Sequence, residues 1–100
     1  MTSPIFAPRA QRELREAVVW IADDSPAAAD ALLAAAMVAA RRLQARPKLG
    51  RVHLELAPER YRFWSLRGFP YLLVYDTEAK PPIILRLVHQ SRDLPAVLDL

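Results

Sequence analysis

The residues best suited to chemistry lie near the C-terminus, in VHQSRDL, where His89 is followed by Arg92, Asp93 and Leu94. Histidine can give or take a proton near neutral pH, and arginine carries a fixed charge shaped for phosphate. RNA cleavage by its own 2′-hydroxyl needs a base, an acid and a cation to stabilise the charge growing on phosphorus, and no metal. His89 could serve as the acid or base. Arg62, Arg86 or Arg92 could serve as the cation. The plainer reading is that His89 ends a strand and that Arg92 and Asp93 pair locally to fix the tail.

Other chemistries find little support. The chain has no cysteine, which removes disulfides, thiolate nucleophiles and Cys-type zinc sites. His53 and His89 are the only histidines, so a metal site would need carboxylates at unmarked positions. There is no GxGxxG, no P-loop, no HExxH and no nucleophile elbow. A Ser-His-Asp triad has no supporting spacing. No metal and no cofactor are expected.

The basic charge is concentrated. Residues 41–67 carry eight Lys/Arg against Glu55 and Glu59, a net +6, whereas residues 1–40 carry three Arg against five acids, a net −2. Such a band can attract nucleic acid or an acidic protein. It has a bland explanation too. Arg41, Arg42, Arg46, Lys48 and Arg51 stand at or just past the end of a predicted helix, where cations are favoured.

One hundred residues make one domain, spanning 1–100, and 53% hydrophobic residues can build a modest core. The N-terminus shows no secretory pattern. The longest apolar run, Ala31–Ala40, is too short and too rich in alanine to span a bilayer. A cytoplasmic protein without membrane contact is the expectation.

The elements that must position the candidate residues follow from periodicity. Ser3–Ala7 reads as a short strand ended by Pro8, and Pro8 suits the first helical position. Arg9–Asp23 places Leu14, Ala17, Val18 and Ile21 on one face of a helix. Ser25-Pro26 caps and restarts a second helix to about Ala45, ended by Pro47 and Gly50. The short connection makes the two an antiparallel hairpin. The period then changes to two. Val52–Leu56, Arg60–Arg67, Tyr71–Tyr75 and Ile83–His89 read as strands, with turns at Ala57-Pro58-Glu59, Gly68-Phe69-Pro70 and Asp76–Pro82. The tail Leu94–Leu100 has room for one or two helical turns. The order β-α-α-β-β-β-β predicts a two-layer α+β domain, with the hairpin on one face of a mainly antiparallel four-strand meander.

Two features of these elements bear on function. The second helix is apolar all round from Ala31 to Ala40, so Leu32, Leu33, Met37 and Val38 cannot all face one core. A partner contact is expected there. In the sheet, alternation puts Arg60, Arg62, Trp64 and Leu66 on one face, and sets Arg86 among aliphatic neighbours. Arg86 is expected on the face the helices leave open, with Arg62 a candidate to join it.

The stretches RELREAVVWIADDSPAAA (12–29), RPKLGR (46–51), ERYRFWSLRGFPYLLVYD (59–76) and ILRLVHQSRDLPAVL (84–98) occur together and in order. With them the chain resembles the RelE/ParE superfamily of toxins from type II toxin–antitoxin systems, and above all its ParE branch, often labelled plasmid stabilisation proteins. The resemblance covers nearly the whole chain. It implies the same β-α-α-β-β-β-β fold and a bacterial toxin that arrests growth until a cognate antitoxin binds it.

RelE-like members cut mRNA in the ribosomal A site with basic residues and often a Tyr or His on the sheet and tail. ParE-like members inhibit DNA gyrase by a route independent of that set. Here no Lys, Arg, Tyr or His follows Arg92, which departs from the nuclease pattern and favours the gyrase reading. A ribosome-dependent mRNA endonuclease and a degenerate module that only binds its antitoxin are the alternatives. The resemblance also implies an antitoxin whose acidic toxin-binding segment wraps the toxin. Leu32, Leu33 and Met37 on the second helix, with Arg41, Arg42 and Trp64, are the expected contact residues, and an exposed sheet edge could take an extended segment.

Overall fold

The computed structural model describes residues 5–91. Helix α1 (Pro8–Ala22) and helix α2 (Pro26–Ala45) are followed by strands β1 (Arg51–Val52), β2 (Tyr61–Ser65), β3 (Tyr71–Asp76) and β4 (Ile83–His89). The strands form one antiparallel sheet in the order β1-β2-β3-β4.

Both helices open on proline, where the missing N–H costs no hydrogen bond. Ser25 caps α2, its Oγ accepting from the Ala28 N–H at 3.2 Å. The short link at Asp23, Asp24 and Ser25 folds α1 and α2 into the expected hairpin. Its inner face (Leu14, Ala17, Leu32, Ala36, Leu43) packs with Leu73, Tyr75, Ile84 and Leu87 of the sheet. Alanine at most of the buried α2 positions lets the backbones approach closely while each residue buries little area.

The expected N-terminal strand is corrected. Among the described residues it shrinks to a single parallel bridge between Phe6 and Ile84, with Ala7 N–H donating to Ile84 O at 2.8 Å and Ile84 N–H to Ile5 O at 3.0 Å. Pro8 begins α1 at once, so the chain turns away after one pairing. Residues 3 and 4 of that expected strand, and the tail expectation at 94–100, lie outside the described residues.

The strand expected over Val52–Leu56 is also corrected. Pairing stops at Val52, and the N–H groups of Leu56 and Ala57 both donate to His53 O, at 2.9 and 3.0 Å. This turn lays Leu56 and Ala57 against Phe63, Val74 and Tyr61, a second small core on the face away from the helices. The His53 ring stands edge-on to Phe63, with centroids 5.0 Å apart. The face expected to be open is therefore partly covered.

Candidate functional site

The expected catalytic residues sit in three different environments. In β2, Arg62 is the cross-strand partner of Tyr75. It therefore belongs to the helix side of the sheet, with Trp64, and does not join an open face. Its Nη1 donates to Gly50 O at 2.9 Å and to Lys48 O at 3.2 Å. The Tyr75 phenol works beside it, donating to Pro47 O and accepting the Gly50 N–H at 2.8 Å. Burial pushes the Tyr75 phenol above its usual pKa. Together Arg62 and Tyr75 latch the loop between α2 and β1 onto the sheet.

Arg86 departs further from expectation. Register sets it opposite Val74, but it is not an exposed cation: only 5% of the residue is accessible. Its Nε and Nη2 donate to the Glu13 carboxylate of α1, the shortest contact being 2.8 Å. Glu13 also accepts the Leu87 N–H at 3.0 Å. A buried arginine must be paired, because an uncompensated charge in the interior is costly. The local register assists. It slips between Val74 and Tyr75, which pair with Arg86 and Ile84, leaving Leu85 as an extra residue in β4.

His89 ends β4. Its ring stands edge-on to Tyr71, with centroids 5.3 Å apart, and its Nδ1 accepts the Ser91 N–H at 3.1 Å. The Ser91 hydroxyl lies 2.6 Å from the same nitrogen. Because Nδ1 accepts, the proton of the neutral ring belongs on Nε2. Tyr71 pairs with His89, and Tyr75 pairs with Arg62. The two candidates are therefore four residues apart along β3 and on opposite flanking strands, about 13 Å along the sheet alone. Arg62 and His89 therefore do not converge on one reacting atom; Arg86 lines the same cleft as His89, but its guanidinium is held by Glu13. Arg92 lies outside the described residues.

The expected partner-binding residues divide as well. Leu32 is fully buried in the core, so it offers no surface to a partner; this corrects its assignment. It sits at the same helical phase as Ala29, Ala36 and Leu43, and tertiary packing chose that phase. Met37 is half-buried against the core. Leu33 (40% exposed) and Val38 (53% exposed) point outward, and Arg41 and Arg42 are exposed at the end of the same helix. Arg42 stands over the ring of half-buried Trp64, 5.3 Å from its centroid.

The basic band gathers around a notch lined by Arg46, Lys48, Arg60, Arg62, Glu59 and Glu78. Arg60 is committed there, bridging Asp76 at 2.7 Å and Glu78 at 3.1 Å. The hydrogen bond from Arg60 holds the Asp76 carboxyl below the usual aspartate range.

Sequence reasoning missed Glu13 and Tyr75, which organise the two ends of the sheet, and Trp20, which is 78% exposed on α1. Only Trp20 left a signal: it falls off the stripe of Leu14, Ala17, Val18 and Ile21. Among the described residues no three His, Asp or Glu side chains gather as metal ligands, and no helix is long and apolar enough to cross a membrane.

A family model described as the ParE toxin of type II toxin–antitoxin systems, parDE, matches residues 5–94. Among solved structures, a chain of a chromosomal ParDE toxin–antitoxin system from P. aeruginosa is similar in fold. It is 19% identical, with a TM-score of 0.71 over 89% of this chain and 96% of that one. No curated protein matches.

Proposed function

Because the chain belongs to the ParE toxin family of type II toxin–antitoxin systems, with a cognate antitoxin as its partner, we propose that it arrests growth by binding and inhibiting DNA gyrase, with no catalytic step of its own. The observation that carries this reading is that, among the described residues, the candidate cations are committed to partners other than the His89 ring. Arg62 is spent on two backbone carbonyls far along the sheet from His89, and Arg86, which lines the same cleft as His89, is spent on Glu13. Metal-free RNA cleavage needs its base, acid and cation within hydrogen-bond reach of one phosphate. A protein that works by binding needs no such convergence.

The antitoxin's acidic segment takes the outward side of α2, where Leu33 and Val38 lead to Arg41 and Arg42. An amphipathic helix there would bury its apolar stripe and bring carboxylates to the two arginines.

Inducible expression without the antitoxin tests the reading, with DNA and mRNA integrity followed together. Arrest with gyrase-linked DNA breaks, intact mRNA and an unchanged effect of His89→Ala is the expected result. Arrest with cut mRNA and intact DNA, abolished by His89→Ala, would replace it with the nuclease reading.

A further inference from the structure

The last turn of α1 presents Trp20 to solvent at 78% exposure, although tryptophan carries the largest apolar area of any side chain. Trp20 forms the ridge between two clefts. One runs toward β4 and is lined by Glu16, Tyr71, His89 and the paired Glu13 and Arg86; the other runs around the hairpin tip and is lined by Asp23, Asp24, Ser25 and Ala28. Trp20 is the one residue common to both.

The charge at this corner opposes that of the rest of the protein. Glu16 lies four residues before Trp20, and Asp23 and Asp24 lie three and four after it. Helix geometry brings Glu16 and the αR cap residue Asp23 onto the Trp20 face, and Asp24, in the turn beyond α1, lines the hairpin-tip cleft with Trp20 and Asp23. All three acids are exposed, and none has an ion pair within the described residues. Arg12, one turn before Glu16, is the nearest cation in sequence on this face, and it too is exposed. The chain as a whole is basic, at +3. An exposed indole ringed by three unpaired carboxylates repels an acidic segment. It favours a cation, which can lie over the ring and face the carboxylates at once.

We infer that the Trp20 corner is a docking site for a basic protein segment, an arginine or lysine side chain seated on the indole between Glu16, Asp23 and Asp24, and that this segment belongs to the toxin's target and not to the acidic antitoxin. The inference rests on the toxin reading above but not on the identity of the target. It divides the molecule by charge. The acidic partner goes to the α2 face and the basic band, and the basic partner goes to the end of α1.

Trp20→Ala tests it, with Asp23→Lys/Asp24→Lys as a second variant that keeps the indole. Both sites are exposed, so the fold should survive, and unchanged thermal midpoints check this. Two quantities are read: the toxin dose that arrests growth, and the affinity of the purified toxin for its cognate antitoxin. The expected result is at least a tenfold higher dose for Trp20→Ala, as for an anchoring tryptophan, with a smaller increase for the lysine pair. Antitoxin affinity should stay within about threefold in both, since neither variant touches the antitoxin face. Arrest at the wild-type dose by both variants would overturn the inference. So would a parallel loss of antitoxin affinity, which would assign the corner to the antitoxin. Gyrase-linked breaks are scored in the same cells. Wild-type arrest without them, abolished by Trp20→Ala, fells the gyrase reading and leaves the docking site standing.

Discussion

Arg62 and Arg86 lie on the two strands that flank β3, one paired across it with Tyr75 and the other with Val74. They look interchangeable in the sequence, each a cation inside a strand rich in apolar residues. The protein uses them differently. Arg62 stays partly exposed and donates to neutral backbone carbonyls of the loop at Lys48 and Gly50. Arg86 is buried and donates to the Glu13 carboxylate, which also satisfies a backbone N–H at the outer edge of β4. One arginine fastens a loop to the sheet. The other fastens a helix to it. The partner decides which, and the partner comes from a part of the chain that strand alternation cannot see.

The largest effect should come from separating Arg86 from its acid. Glu13→Ala leaves a buried guanidinium without its carboxylate, and should cost about 3–5 kcal/mol of unfolding free energy in a urea titration. That is a large share of what a domain of this size possesses. Replacing both partners, as in Glu13→Leu/Arg86→Met, should recover most of the loss, because no charge is then stranded. A double variant as unstable as the single one would show that the pair's geometry, and not its charge, holds α1 to β4.

At the other end, Gly50→Ala should come next. A methyl group on Gly50 would meet the Tyr75 Oη at 2.6 Å, its Cε1 at 2.7 Å and Phe63 O at 2.9 Å. The loop cannot accept it without moving off the phenol, and a loss of about 1–3 kcal/mol is expected. Tyr75→Phe tests the same latch from the other side. It strips a partner from the Gly50 N–H and the Pro47 carbonyl, so a similar loss is expected. The pH dependence has a definite sign. The folded phenol titrates above its unfolded value, so its contribution is full below about pH 10 and is lost as the pH rises through the folded value. The Tyr75→Phe variant should lack this alkaline limb in a pH series of thermal midpoints.

Arg62→Ala should cost less, about 1 kcal/mol, since the carbonyls it releases at Lys48 and Gly50 can turn to water. A loss as large as that of Glu13→Ala would erase the contrast between the two arginines. The smallest effect belongs to Asp76→Asn. The folded carboxyl is held below the usual aspartate range, chiefly by its hydrogen bond from Arg60. Its stabilisation is therefore present above the ordinary range near pH 4 and lost as the pH falls through the folded value. The gap between wild type and variant should be small at neutral pH, as for exposed pairs, and should close in acid. A gap that persists in acid would point to the Thr77–Glu78 turn, where Asp76 also accepts the Glu78 N–H at 2.9 Å.

Much of the fold was legible because its signals are local. Pro8, Ser25-Pro26 and Pro47 bound the helices through backbone chemistry that neighbouring residues cannot override. The aromatic and β-branched runs of β2, β3 and β4 are separated by turn residues, including Gly68 at a φ of +88°. Val52–Leu56 misled because its alternation is real, yet the chain uses it for a turn. Leu56 is more useful against the Phe63 and Val74 face than in another pair of strand hydrogen bonds. The expected strand ahead of Pro8 shortened to one bridge for a related reason: β4 offers it a single pairing at Ile84 before α1 begins.

The candidate site was less legible. Residue types alone marked His89, Arg62 and Arg86 as chemistry, but a side chain's availability depends on what faces it. Glu13, 73 residues before Arg86, faces one of them, and the loop carbonyls 12 and 14 residues before Arg62 face the other. Leu32 and Leu33 are adjacent and equally apolar, yet one is sealed in the core and the other is 40% exposed. The sequence by itself determined the helical hairpin, the strands β2 to β4, the α+β class and the charge asymmetry, since these follow from local backbone preferences and composition. Only the tertiary structure decided which cations are spent, which face of α2 is free and that Trp20 stands in solvent. Those outcomes depend on long-range pairing and register, which place residues far apart in the chain within bonding distance of one another.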